Sequence, residues 1–202
     1  MKELYWQIDD WMTLNPDGWS SKEKVAALVG AILAMRPTTV LEIGIWNGKS
    51  FVPMAMAMKY LKSSGTLIGI DPWSADASVQ GMEGEHMQWW ANAPHDKIFK
   101  MFNEEMLKFN LHPFCKIFRC RSEEWKIPDD LEIQVLSVDG NHGEAASTYD
   151  VAHFAPRVSL GGFMWMDDES WASKAAQTIP TLGFKKIFTL DGGSMYQRIS
   201  KP

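Results

Sequence analysis

Aspartates follow two apolar, strand-like stretches in the second half of the chain. Asp139 ends the run Ile-Gln-Val-Leu-Ser-Val, and the pair Asp167 and Asp168 ends the run Gly-Phe-Met-Trp-Met. Because parallel strands present their carboxyl ends along one crevice, we expect these side chains to converge. Neighbouring carboxylates repel unless a cation lies between them, and hard oxygen ligands suit Mg²⁺, with Mn²⁺ or Ca²⁺ as alternatives. Each aspartate alone could equally be a helix cap or turn former.

A glycine-containing loop follows an apolar run in the first half of the chain. Residues 40–50 read Val-Leu-Glu-Ile-Gly-Ile-Trp-Asn-Gly-Lys-Ser. Glycine allows a close approach of backbone to ligand, and the start of the next helix offers free N–H groups and a positive dipole end. The pattern predicts a nucleotide-type ligand but differs from the dinucleotide fingerprint G-x-G-x-x-G. The predicted contacts are Glu42, Gly44, Ile45, Trp46, Gly48 and Ser50.

A second acidic strand end supports a nucleoside site. Asp71 closes the run Gly-Thr-Leu-Ile-Gly-Ile and precedes Pro72. Its carboxylate is expected beside the glycine loop, where it could bind the hydroxyls of a ribose. Trp73 could stack on adenine or simply cover core. Pro72 and Trp73 therefore join the predicted cofactor contacts.

Helical and strand patterns alternate along the chain and predict an α/β fold. A capping box at Ser20 and Glu23 begins a helix that closes at Pro37, and the terminal segments 184–190 and 195–199 flank a hairpin turn at Asp191-Gly-Gly-Ser. We expect a single domain over 1–202 built on a doubly wound sheet, with an N-terminal helical cap over 1–37. Residues 74–94 lack periodicity and are predicted to form a lid insertion.

The order of these motifs resembles the class I S-adenosylmethionine (SAM) methyltransferases, whose Rossmann-like sheet has seven strands and an antiparallel end. Asp139-Gly-Asn-His142, the pair Asp167 and Asp168, and Trp46 resemble metal-dependent sugar O-methyltransferases of the macrocin type. The resemblance implies SAM and Mg²⁺ as cofactors. It also implies that Asp139, Asp167 and Asp168 bind the metal, that His142 is the general base, and that Ser122 contacts adenine. His142 could also lack a catalytic role.

The resemblance predicts methyl transfer to a hydroxyl of a small acceptor, such as a sugar, glycoside or phenol. The resemblance also assigns Asp139 two further roles, as a catalytic residue and as a contact of the SAM cofactor. Two alternatives remain open, namely a metal-independent methyltransferase and a SAM-binding partner subunit without catalysis. An NAD-dependent oxidoreductase is disfavoured because the dinucleotide fingerprint is absent.

The composition of the chain limits the classes of binding partner that we expect. The 202 residues carry a formal net charge of −5 without a block of Lys or Arg, which disfavours nucleic acid and anionic membranes. The N-terminus lacks signal-peptide features and no apolar stretch could span a bilayer, so we expect a cytoplasmic protein with Cys115 and Cys120 as free thiols. Aromatic residues at Tyr5, Trp6, Trp11, Trp19, Trp89 and Trp90 predict lid packing or a homodimer rather than direct ligand contact.

Overall fold

Seven strands form one sheet in the computed structural model, which describes residues 1–15, 17–190 and 192–201. The strands are β1 (Thr39–Ile43), β2 (Thr66–Ile70), β3 (Cys115–Phe118), β4 (Ile133–Val138), β5 (Val158–Met166), β6 (Phe184–Leu190) and β7 (Gly193–Arg198). Their order across the sheet is β3-β2-β1-β4-β5-β7-β6. β1 to β5 pair in parallel, whereas β7 is antiparallel to both β5 and β6. The predicted doubly wound sheet with an antiparallel end is confirmed.

Eight α-helices complete the described part of the chain. They are α1 (Lys2–Leu14), α2 (Lys22–Met35), α3 (Phe51–Tyr60), α4 (Ala75–Ser78), α5 (Gly84–Asn92), α6 (His95–Lys108), α7 (Glu144–Phe154) and α8 (Ser173–Thr178). None of them combines the length and the apolar character needed to cross a membrane.

The central strands are apolar on both faces because helices cover both. Val40, Leu41 and Leu136 are fully buried, and two clusters of buried side chains lie on opposite sides of the sheet. Continuous apolar runs are the expected signature of a parallel sheet covered on both faces. Because β1, β2, β4 and β5 run parallel, their carboxyl ends meet at one edge of the sheet.

Helix α2 begins one residue later than the capping box predicted. Ser21, not Ser20, is the N-cap, and its hydroxyl accepts the backbone N–H of Lys24 at 3.1 Å. The helix ends at Arg36, whose left-handed backbone (φ 49°) precedes Pro37. These two ends fix how far α2 extends over the edge of the sheet.

The predicted 74–94 insertion contains two helices, α4 and α5, and none of the residues of α5 is buried. Helix α8 is short and continues as a 3₁₀ turn over Ile179–Leu182, since Pro180 cannot donate a helical hydrogen bond. β3 stops before Cys120, and both cysteines are free thiols as expected. Asp191 of the predicted hairpin turn lies outside the described residues.

Candidate active site

One cavity of about 710 Å³ lies at the carboxyl edge of the sheet. Its volume falls in the range of roughly 300–1,000 Å³ that is common for ligand pockets. The predicted site residues that line it are Gly44, Ile45, Trp46, Ser50, Asp71, Pro72, Ser122, Asp139, His142, Asp167 and Asp168. The cavity therefore joins the glycine loop (residues 44–50) to the aspartates that follow β4 and β5.

The glycine loop passes very close to the end of β4. Gly44 has φ +83°, and a Cβ at this position would lie 2.0 Å from the carbonyl oxygen of Asp139. Only glycine fits such a backbone approach without displacing the loop. Gly48 serves a different purpose, because its missing Cβ makes room for the ring of Phe102, 2.7 Å from where that atom would stand. Gly48 shapes the loop from the core side.

Asp71 holds the glycine loop through backbone N–H groups. Its Oδ2 accepts the N–H of Ile45 at 2.8 Å and of Trp46 at 2.9 Å, and its Oδ1 accepts the N–H of Trp73 at 2.7 Å. Burial raises the pKa of this carboxyl, although the three N–H donors oppose the rise. Asp71 lines the cavity at the position predicted for a ribose contact, and it also fixes the loop.

Trp73 differs from the predicted adenine contact. Its side chain is 1% exposed and packs between Phe99 and Phe102, with centroids at 4.6 and 5.6 Å. The indole N–H donates to the carbonyl oxygen of Trp46 at 2.8 Å. Trp73 therefore covers core and supports the loop from behind, which was the alternative left open by the sequence.

Glu42 lies beneath the loop rather than in the cavity. The side chain is fully buried, and its Oε1 accepts the hydroxyl of Ser50 at 2.8 Å. Burial raises the pKa of Glu42 to about 7, although Lys24 and Ser50 oppose the rise. Glu42 therefore positions Ser50 at the start of α3.

Lys24 reaches from α2 into the middle of the aspartates. Its Nζ lies 2.6 Å from Oδ2 of Asp139 and 2.9 Å from Oδ1 of Asp167, and the lysine side chain is only 4% exposed. Asp167 Oδ1 also accepts the indole N–H of Trp165 at 2.7 Å. Sequence reasoning missed Lys24, which lies 115 residues from Asp139 along the chain. Its place on the same helix face as Leu28 was the available signal, because that face is buried.

The pKa shifts of this cluster follow from burial and charge. Burial alone would lower the pKa of Lys24, but Asp139 and Asp167 outweigh it and raise that pKa above the usual lysine value. Burial raises the pKa of Asp139, with Asp167 adding to the effect. Burial would also raise the pKa of Asp167, but Lys24 holds it below its ordinary value. These shifts favour the charged ammonium form of Lys24 beside the carboxylate of Asp167.

His142 pairs with Asp168 at the mouth of the acidic edge. Its Nε2 lies 3.3 Å from Oδ2 of Asp168, and its ring faces Trp171 edge-on at 6.4 Å. Asp168 has a left-handed backbone (φ 45°), which is uncommon for a residue other than glycine. Its carboxylate consequently meets His142 while that of its neighbour Asp167 meets Lys24.

Comparisons with known proteins agree with this geometry. The family model described as "Methyltransferase domain" matches residues 41–169. The chain belongs to this methyltransferase family. The match and the fold together confirm the predicted class I methyltransferase, the class of enzyme that takes its methyl group from SAM. A search of curated proteins finds no match.

Solved methyltransferase structures share the fold at low sequence identity. The O-methyltransferase NovP is 17% identical with a TM-score of 0.63, over 88% of this chain and 79% of NovP. TomG from Streptomyces achromogenes, solved with SAM, is 12% identical with a TM-score of 0.66, over 98% and 90%. The O-methyltransferase from Bacillus cereus, solved with SAH, is 10% identical with a TM-score of 0.62, over 98% and 91%.

The donor set of this methyltransferase suits a cation, but Lys24 fills the place between its two central carboxylates. One ligand atom each from Asp139, His142 and Asp167 lies within 4.8 Å of the others. The ammonium contacts both carboxylates of this group, and Asp168 is turned toward His142. The ammonium thus already contacts one oxygen of each of the two central carboxylates. The predicted role of Asp139, Asp167 and Asp168 as metal ligands stays a prediction.

Ser122 lines the cavity together with Asp150 of α7. It is 8% exposed, and its hydroxyl lies 3.3 Å from a carboxylate oxygen of Glu123. Burial raises the pKa of Asp150 to about 7, although Ser122 opposes the rise. The predicted adenine contact of Ser122 remains a prediction.

Four tryptophans form an aromatic wall over the glycine loop of this methyltransferase. Trp46 lies 5.9 Å from Trp89 and 4.8 Å from Trp90, and Trp19 lies 5.0 Å from Trp89. Helix α5 therefore packs over the loop, and the lid role of residues 74–94 stays a prediction. Tyr5 and Trp6 lie elsewhere, on α1. Both side chains are exposed, and their contact with a second subunit stays a prediction.

Proposed function

We propose that this methyltransferase transfers the methyl group of SAM to a hydroxyl of a small acceptor, such as a sugar, a glycoside or a phenol. One observation carries the proposal: a single cavity joins the glycine loop to the pair formed by His142 and Asp168. A cofactor held at the loop and a hydroxyl held at His142 would share this space. Holding the two reactants together supplies much of the rate of such a transfer.

SAM is proposed to lie along the edge formed by the glycine loop and Asp71. The loop brings its backbone into the cavity, and Asp71 keeps it there through the N–H groups of Ile45 and Trp46. Trp46 itself has a left-handed backbone (φ 52°). Backbone strain of this kind tends to occur at functional sites. Solved structures of similar fold that are named as SAM and SAH complexes support SAM as the ligand.

His142 is proposed to act as the general base. Burial lowers the pKa of His142 although Asp168 opposes the change, and this direction favours the neutral imidazole that a general base needs. Nε2 faces the carboxylate of Asp168 at 3.3 Å, and Nδ1 is proposed to accept the proton of the acceptor hydroxyl. The hydroxyl proton passes to His142, the oxygen bonds to the methyl carbon, and the carbon–sulfur bond breaks to release SAH. No covalent enzyme intermediate is required.

The acceptor is proposed to lie between two aromatic surfaces. Trp19 and Trp89 form one side, and Trp171 with His86, 5.0 Å apart, forms the other. These residues line the same cavity as His142. Aromatic faces suit the flat or weakly polar surface of a sugar ring or a phenol.

The use of a divalent cation in this methyl transfer is a separate part of the predicted function. When bound, such an ion lowers the pKa of a coordinated hydroxyl as a Lewis acid. The 4.8 Å spacing of the donor atoms of Asp139, His142 and Asp167 favours this form of the function. The ammonium of Lys24 between the same carboxylates favours the metal-independent alternative.

Two measurements test the proposed function. Calorimetric titration with SAH should show binding to the wild-type protein, and SAM carrying a labelled methyl group should transfer the label to members of a panel of sugars, glycosides and phenols. His142→Gln should lower the rate about 10²- to 10⁴-fold, the usual contribution of a general base. The exposed His153, on the following helix α7, provides the control His153→Gln.

Different failures identify different alternatives. Binding of SAH without transfer to any acceptor would favour a non-catalytic partner subunit. Binding of NADH in place of SAH would favour an oxidoreductase. Transfer at the wild-type rate by His142→Gln would remove His142 from the mechanism.

A further inference from the structure

We propose that the ammonium of Lys24 is the resident cation of the acidic edge and takes the place of a divalent metal in this enzyme. The proposal rests on the proposed methyltransferase function. It starts from a physical need: Asp139 and Asp167 lie close together and require a positive charge between them. Lys24 supplies that charge from within the chain.

The contacts show that Lys24 is built into the site. Its Nζ is within hydrogen-bond distance of both carboxylates, at 2.6 Å from Asp139 and 2.9 Å from Asp167. The side chain is 4% exposed, so it has little freedom to swing into solvent. Its backbone is fixed at the first turn of α2, where the N–H of Lys24 donates to the hydroxyl of Ser21. Helix α2 therefore delivers the ammonium to a defined point.

A metal ion and this ammonium would compete for one position. Mg²⁺ binds oxygen at roughly 2.0–2.1 Å, so an ion shared by Oδ2 of Asp139 and Oδ1 of Asp167 would need the space that Nζ occupies. Two cations at that point would repel each other. Asp168, the third predicted ligand, instead contacts His142. Binding of a metal by Asp139 Oδ2, Asp167 Oδ1 and Asp168 together would have to displace Lys24 and to pull Asp168 away from His142.

Lys24 has a direct consequence for the acceptor. A fixed positive charge beside the cavity stabilises negative charge that develops on the acceptor oxygen as the proton leaves. Its two ion pairs also hold the carboxylates of Asp139 and Asp167 in place, which makes Lys24 a positioning residue for the acidic edge. The enzyme would then transfer methyl groups in the presence of a chelator.

Manganese binding tests this proposal. Mn²⁺ is titrated into the wild type, Lys24→Ala and the control Lys22→Ala, and binding is followed by electron paramagnetic resonance. Lys22 lies on the same helix, is 55% exposed and pairs with Asp9, away from the acidic edge. We expect the wild type and Lys22→Ala to bind Mn²⁺ at least about tenfold more weakly than Lys24→Ala, in which the carboxylates are free to take a metal.

Stability provides a second measurement on the same proteins. Lys24→Ala should melt below the wild type, and added Mn²⁺ should restore part of the loss in this variant alone. A purely structural lysine would also lower the melting temperature on removal, but its loss would create no metal affinity. Loss of stability without a gain of Mn²⁺ binding would therefore overturn the proposal.

A further variant and a further titration cover the remaining outcomes of the experiment. Should Lys24→Ala fail to fold, Asp139→Asn in the wild-type background becomes the decisive variant. Wild-type binding of Mn²⁺ that disappears in Asp139→Asn would show a working metal site and would overturn the proposal. SAH titration on the wild type separates this result from failure of the proposed function, because a protein that binds no SAH fails at the earlier step.

Discussion

The carboxylates in the two halves of the cavity are stabilised by different kinds of partner. At the proposed cofactor edge, formed by the glycine loop and Asp71, the carboxylate accepts backbone N–H groups of Ile45, Trp46 and Trp73. At the acidic edge, formed by Asp139, Asp167 and Asp168, the partners are the side chains of Lys24 and His142. One edge uses neutral donors that belong to the loop itself. The other uses a charge brought from a distant helix.

The two kinds of partner have different effects, because neutral donors fix the shape of the site whereas an ammonium changes its charge. Backbone N–H donors fix a loop in one conformation and add no formal charge to the site. A buried ammonium adds a full positive charge, which acts on whatever charge develops nearby. The cofactor edge is thus suited to holding a ligand in position. The acidic edge is suited to proton transfer and to stabilising an oxyanion.

Substitution of Gly44 breaks the contact between the two edges and should have the largest effect. In Gly44→Ala the new Cβ would stand 2.0 Å from the carbonyl oxygen of Asp139, in a residue with φ +83°. We expect a loss of about 4 kcal/mol or more in the free energy of unfolding, together with loss of SAH binding. Urea unfolding and calorimetric SAH titration measure both quantities.

Gly30 is the matched control for Gly44. It lies inside α2, and a Cβ added there would meet no atom within 4 Å. Gly30→Ala should raise the free energy of unfolding by about 0.5–1 kcal/mol, because alanine favours a helix over glycine. A mild effect of Gly44→Ala, similar in size to that of Gly30→Ala, would show that the edges do not depend on this close contact.

Substitution of Asp71 sharpens the comparison from the cofactor side. Asp71→Asn replaces one acceptor oxygen by an NH₂ group, which cannot accept the N–H groups of the loop. We expect a loss of about 2 kcal/mol in the free energy of unfolding and weaker SAH binding. The exposed Asp76 of α4 offers the control Asp76→Asn, which should change stability by less than about 0.5 kcal/mol. Unchanged SAH affinity in Asp71→Asn would separate the loop from the cofactor.

Asp150 represents a third case, a buried carboxylate with neither a loop of N–H donors nor an ammonium. Its Oδ1 is buried without a hydrogen-bond partner among the described residues. Burial raises its pKa from 3.8 to about 7 in the folded protein. Between these values the folded state binds a proton that the unfolded state releases, so this residue makes stability fall as pH rises.

The predicted effect of Asp150→Asn is a smaller dependence of stability on pH. The slope should decrease by at most about 1.4 kcal/mol per pH unit between about pH 4 and 7. Above pH 7 the contribution of Asp150 to the slope vanishes, because both states are then ionised. Urea unfolding at a series of pH values measures this, with the exposed Asp130→Asn as control. Equal slopes for the wild type and Asp150→Asn would contradict the assigned cause.

Much of the fold could be predicted because its signals are local. Apolar runs that end at Asp71, Asp139 and Asp167 indicated buried strands, and glycine at position 44 indicated a tight loop. Trp73 was harder to interpret. An indole after a strand can stack on a ligand or fill the core, and the positions of Phe99 and Phe102 decided for the core.

The sequence by itself determined where each acidic side chain leaves the sheet, since strand ends and turns depend on neighbouring residues. Only the tertiary structure decided which partner each carboxylate meets. Adjacent Asp167 and Asp168 separate toward Lys24 and His142, and Asp168 does so with a left-handed backbone. Lys24 reaches Asp139 only because α2 packs over the sheet. Charge pairing depends on distance in space, which the spacing of residues along a chain does not specify.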